Sequence, residues 1–186
     1  KLLESVLNNI DLPVFVLVRP RGGHFFYKDD ELDIMLASIK DVKNLGAKGI
    51  VSGALNADKT IDSEATLKLI NASGKLPFTF HRAFDECEEV EASMKLLRSL
   101  EVDRILSSAG LAKASDDPEK ISRIVRLSQP KPSIICCGGI RSSNIKNLIN
   151  IPKLVEFHSA ASSNIKGVDP KEVHSIRSQI DKEIEL

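Results

Sequence analysis

The chain has 186 residues, 42% of them hydrophobic and 28% charged, a composition that supports one folded domain with a sizeable core and excludes disorder. Lys+Arg and Asp+Glu stand at 26 each, and aromatics make up only 4% with no Trp, so both the basic excess and the stacking platform of a nucleic-acid binder are missing. The longest apolar runs, such as "LPVFVLV", fall far short of the roughly 20 residues that cross a bilayer, and no membrane partner is expected.

Taken in chain order, short apolar strands alternate with helical segments. The run "VFVLV" at 14–18 predicts a buried strand that stops at Arg19 and Arg21, followed by Gly22 and Gly23. In "DELDIMLASIKDVKNLG", Leu32, Met35, Leu36, Ile39 and Val42 share one helical face, and Gly46 reads as the stop. A strand over 49–52 precedes "DSEATLKLINASG", where Asp62 or Ser63 caps a helix with Leu67, Leu69 and Ile70 in its apolar set and Gly74 ends it. Strands over 78–81, 104–107, 133–137 and 155–158 follow, separated by "VEASMKLLRSL", "DPEKISRIVRLS" and "SSNIKNLIN", with Pro118 suited to a first helical turn.

Strand–helix alternation at this spacing predicts a parallel α/β sheet, doubly wound or closed into a barrel. The barrel is favoured by a proline just before the strands at 14, 78 and 133 and by polar residues at period two. Thr79 and His81 share a face, as do Glu156 and His158, whereas Phe78, Phe80, Val155 and Phe157 take the other. The expectation is a single TIM-type (β/α)8 barrel domain over 1–186, incomplete in this chain at about six βα units, with the N-terminal strands missing.

Function in such a barrel lies at the C-terminal ends of its strands. There the sequence collects Arg19, Arg21, His81, Arg82, Asp85, Cys137, Gly138, Gly139, Arg141, His158 and Ser159, a set rich in cations, hydroxyls and glycines. It suits a small anionic molecule. Arg19 and Arg21, two apart, are expected to grip it together, unless Arg19 pairs with a buried carboxylate such as Glu156. His81 is the candidate acid or base, with Asp85 orienting it or capping the helix that follows. Arg82 belongs with them. Gly138, Gly139 and Arg141, with His158 and Ser159 on the next strand end, fall where TIM barrels bind phosphate through backbone N–H groups; the alternative is a tight turn. Cys136 and Cys137 point to opposite faces of one strand and cannot easily hold one ion together, so the metal candidates are Cys137 with His158, or with His81, and no motif implies a cofactor. Three cysteines cannot close a disulfide set and no secretory signal is visible, although the chain opens on Lys1; a reducing, cytoplasmic setting is expected.

The blocks "VLVRPRGG", "GIVSGAL", "LPFTFHRAFD", "VDRILSSAG", "GGIRSSNI" and "EFHSAA", in that order, resemble the CutC family, known as copper homeostasis proteins. "RPRGG" and "HRAFD" are the most distinctive. The resemblance implies a TIM-type barrel in the cytoplasm, often self-associating as a homo-oligomer, that binds or traffics copper. It also implies about two further βα units before this chain, whose strands carry cysteines discussed as copper ligands. His24 after "RPRGG" departs from the acidic residue usual there, and "IICCGG" from a strand end without paired cysteines. Beside the copper role stands the reading from the residues themselves, an enzyme acting on a small anionic substrate, phosphorylated or not.

Overall fold

The computed structural model describes residues 1–162 and 167–184. All six expected strands form, each within a residue or two of its expected span: β1 (Phe15–Leu17), β2 (Gly49–Ser52), β3 (Phe78–Phe80), β4 (Arg104–Ser107), β5 (Ser133–Cys136) and β6 (Glu156–Phe157). They run parallel where their pairing is described and lie in the order β1-β2-β3-β4-β5-β6. A doubly wound sheet reverses its strand order at a switch point. Here no reversal occurs, so the α/β connectivity is that of a TIM-type barrel, at six of the usual eight steps. By contact density the chain divides into two units, Lys1–Ile105 and Leu106–Leu186.

In the first unit, α1 (Leu2–Asn9) precedes β1, and α2 (Asp29–Asn44), α3 (Ser63–Ser73) and α4 (Val90–Ser99) follow β1, β2 and β3. The stripe Leu32, Met35, Ile39 and Val42 of α2 is buried as its spacing requires. Asp62 caps α3 by accepting the Ala65 N–H at 2.9 Å. Leu67, expected inside, is 43% exposed. The buried line of α3 runs through Ala65, Leu69 and Ser73, and a residue two positions from Ala65 and from Leu69 projects on the opposite side.

Register sorts the strand residues into two faces. Ile50 pairs with Phe78, Ser52 with Phe80, and Phe80 with Ile105, and all five are essentially inaccessible. Val51 pairs with Thr79, and Thr79 with Arg104, on the other face. On that face Phe15 lies across Gly49, with a ring atom 2.0 Å from where a Cβ would sit, and the Arg104 guanidinium stacks over Phe15 at 4.2 Å. Position 49 therefore admits only glycine while Phe15 keeps this rotamer.

In the second unit, Cys137 N–H donates to the Ser107 carbonyl at 3.0 Å, and β5 pairs with β6. Asp117 caps α5 (Pro118–Ser128), with Pro118 in its first turn, through the Lys120 N–H at 3.0 Å. The helix expected from "SSNIKNLIN" shrinks to α6 (Lys146–Ile149). The Asn144 side chain accepts from Arg141 N–H and donates to the Gly139 carbonyl, both at 2.9 Å, which holds the preceding residues in a side-chain-bonded turn. The chain closes with α7 (Pro170–Ile184). Among the described residues no helix is long and apolar enough to cross a membrane.

Candidate functional site

Arg19 and Arg21 leave the end of β1 together and then part. Gly23, at φ +81°, turns the loop so that Phe25 and Tyr27 return to the interior. Arg21 forks onto both carboxylate oxygens of Glu31 and also donates to the carbonyls of Gly22, His24 and Phe26. Every N–H of its guanidinium is thereby spent. Glu31 in turn accepts Lys28 N–H at 3.0 Å, so this carboxylate ties the loop to the start of α2. The hydrogen bond between them raises the Arg21 pKa and lowers that of Glu31. This corrects the expectation that both arginines grip one anion: Arg21 is the clamp of its own loop.

Arg19 is different. One terminal nitrogen donates to the Gly23 carbonyl, and the guanidinium stacks on Phe25 at 4.2 Å. Its Nε is buried without a hydrogen-bond partner. Against the same Phe25 ring, at 4.7 Å, packs His81, which is 4% exposed. His81 Nδ1 accepts the Ala83 N–H at 3.3 Å, so the ring proton sits on Nε2, and Nε2 has no partner. Burial first, and the charge of Arg19 second, push the His81 pKa down to about 4. The imidazole is therefore uncharged at neutral pH. Thr79 Oγ1, on the His81 face of the sheet, is likewise buried and unpartnered, and the Tyr27 hydroxyl is buried beside the Arg19 guanidinium; burial raises the Tyr27 pKa, against the lowering effect of Arg19.

Asp85 does not orient His81. It lies in the 3-10 turn Arg82–Glu86 and receives Arg82 Nε at 2.8 Å, so the two charges of "HRAFD" meet each other one turn away from the imidazole. A cleft of about 310 Å³ opens beside Phe25, with Leu55, Lys59 and Glu86 also on its wall. Phe25 and Tyr27, which set the positions of both arginines, drew no attention in the sequence. The only signal available was an aromatic cluster directly after a glycine pair.

The second unit holds the remaining candidates. Gly138 and Gly139 both take positive φ, at +91° and +64°, as a tight turn demands. A Cβ on Gly138 would stand 2.7 Å from Ser108 Cβ. Arg141 donates to Ser162 Oγ at 2.9 Å and, more weakly, to Ser159 Oγ at 3.5 Å, while Ser159 donates to the Ile140 carbonyl at 2.6 Å. Ser142, next to Arg141, gives both N–H and Oγ to the Glu172 carboxylate of α7, each at 2.7 Å. The Glu172 carboxylate thus ties the residue after Arg141 to α7. His158 is exposed, its N–H bonded to the Cys136 carbonyl, and Cys137 is 1% exposed.

The model of the CutC family matches residues 1–163 of this sequence. The chain belongs to the CutC family. The copper homeostasis protein cutC homolog of Homo sapiens is 36% identical over 161 residues, covering 87% of this chain and 59% of that protein. A family protein CutC of Klebsiella pneumoniae is 39% identical, covering 86% of this chain and 64% of its relative. The chain thus spans about three fifths of the length of the curated relatives it matches. The crystal structure of the putative copper homeostasis protein CutC from Streptococcus agalactiae superimposes with TM-score 0.77 at 30% identity, over 84% of this chain and 78% of that one. A native KDPGal structure shares the fold alone, at TM-score 0.57 and 11% identity.

For a CutC protein the fit of copper to these residues is a direct question. Cu(I) favours thiolates. Cys87, Cys136 and Cys137 are buried and none of them is in a disulfide, and burial raises the Cys87 pKa, which keeps it a thiol. His81 has its lone pair on Nδ1 turned to Ala83, and Nε2 carries the proton. Among the described residues no group of three or more His, Cys, Asp or Glu side chains can hold a metal ion.

Proposed function

We propose that this CutC chain binds a small anionic molecule at the ends of β1 and β3, with Arg19 as its charge partner, and that its part in copper homeostasis runs through that ligand. The observation that carries the reading is the pair of buried, unpartnered donors, Arg19 Nε and His81 Nε2, packed on one aromatic ring. Buried donors without partners are rare in folded proteins because each costs about 1–3 kcal/mol, and an arginine nitrogen left so suits an acceptor supplied from outside. Thr79 and Tyr27 add hydroxyls that donate or accept. An enzyme acting on that molecule is the catalytic form of this reading.

Calorimetric titration with inorganic phosphate and with small carboxylates is the test. Binding by the wild-type chain, weakened about tenfold or more in Arg19→Gln, is the expected result, since a charge-assisted hydrogen bond contributes roughly 1.5–3 kcal/mol. Equal binding by Arg19→Gln would overturn it. Direct copper binding or trafficking in the cytoplasm, by a self-associating chain, is the second reading, favoured by the copper-homeostasis names of the relatives. Competition for Cu(I) against a chromophoric chelator decides it: stoichiometric uptake by this chain supports direct binding, and none refers the metal to donors outside these residues.

A further inference from the structure

His81 shows which hydrogen-bonding role it plays before any ligand arrives. A backbone N–H can only donate, so the bond from Ala83 obliges Nδ1 to accept and leaves the proton on Nε2. Phe25 at 4.7 Å and Phe80 at 5.9 Å hold the ring plane, and the residue is 4% exposed. Nε2 is thus a donor of fixed direction with nothing to donate to. Arg19 Nε is also a donor only. A ligand amine or ammonium placed here would leave both nitrogens unsatisfied.

Charge narrows the class further. The charge of Arg19 acts on His81, and the imidazole stays uncharged at neutral pH. A second negative charge against His81 would be buried without compensation. We infer that the ligand is a small monoanion carrying a carbonyl group: its anionic end meets Arg19, and its carbonyl oxygen accepts from His81 Nε2. This rests on the anion-binding reading above and assigns the half of the ligand that the arginine does not touch. A fixed donor on a carbonyl oxygen also stabilises negative charge that develops there, as in proton abstraction beside the carbonyl or addition to it.

The experiment has two arms. In the first, nitrogen-15 spectra of the histidine-labelled chain, with His81 assigned from a His81→Phe spectrum, read the ring tautomer without ligand. The Nε2–H form at pH 7 is expected; an Nδ1–H or doubly protonated ring overturns the inference whatever binds. The second arm titrates pyruvate, lactate and propionate, which carry a carbonyl, a hydroxyl and neither beside the carboxylate. Pyruvate should bind at least tenfold more tightly than propionate, with lactate between, and should move the His81 Nε2 resonance. His81→Phe keeps an aromatic ring against Phe25 and should erase that preference, so that pyruvate and propionate bind it alike. Pyruvate and propionate binding alike would overturn the carbonyl assignment and leave the anion reading standing. Binding of none of these, nor of phosphate, would overturn both.

Discussion

The strand ends of the first unit and those of the second draw on the same residue types, arginine, hydroxyl side chains, histidine and glycine, and they use them in opposite ways. At the ends of β1 and β3, Arg19, Thr79 and His81 each keep a buried polar atom without a partner. After β5 and β6, Arg141 is bonded to serines, Ser159 to a carbonyl, and Ser142 to Glu172. The first arrangement leaves buried polar atoms unsatisfied, which are the atoms the proposed ligand would meet; the second commits its donors to holding loops together. Arg19 and Arg21 repeat this contrast two residues apart, where a carboxylate within reach turns one arginine into a clamp and leaves the other free for a different partner.

The widest test of the contrast is pH. His81 has a folded pKa of about 4 against 6.5 when exposed, so between these values the unfolded chain binds a proton that the folded chain refuses. Stability contributed by the neutral ring is present above pH 6.5 and falls as pH drops toward 4, by on the order of 3 kcal/mol in all. Urea midpoints from pH 7.5 to 4 should show this limb, and His81→Phe should flatten it. An unchanged limb in that variant would place the acid sensitivity elsewhere.

In the second unit, Gly138→Ala should cost roughly 2–3 kcal/mol, since it combines a strained φ with a contact on Ser108 Cβ. A loss under 0.5 kcal/mol, by urea melting, would show that this turn yields easily, contrary to its role as a rigid support. Glu172→Gln removes the charge from two hydrogen bonds to Ser142 and should lower stability by about 1 kcal/mol while leaving phosphate binding within twofold. A tenfold change in binding would mean that this turn, too, answers to anions. The smallest effect separates a reserved donor from a structural one. Thr79→Val discards a buried, unpartnered hydroxyl at nearly constant volume and should raise stability by about 0.5 kcal/mol. A loss above 1 kcal/mol would show that the hydroxyl is already engaged in the free protein.

Much of this architecture was legible beforehand, for identifiable reasons. The periods of 2 and 3.6, the caps at Asp62 and Asp117 and the stops at Gly46 and Gly74 are local chemistry, and they located the strands and most of the helices. Leu67 misled because an apolar residue in a helix does not announce its angle, and α6 fell short because Asn144 offers a competing turn. Among the candidate residues, type and strand-end position were readable, whereas their partners were not.

By itself the sequence determined the alternation of strands and helices, the family, and which polar residues gather at strand ends, because those properties follow from backbone periodicity and short-range capping. Only the tertiary structure decided what each polar group does. Whether an arginine binds a ligand or its own loop depends on which carboxylate folding brings within hydrogen-bond range, and a histidine's tautomer depends on which backbone group meets its ring. Glu31 lies ten residues from Arg21 and Glu172 thirty from Ser142, separations that no local pattern encodes.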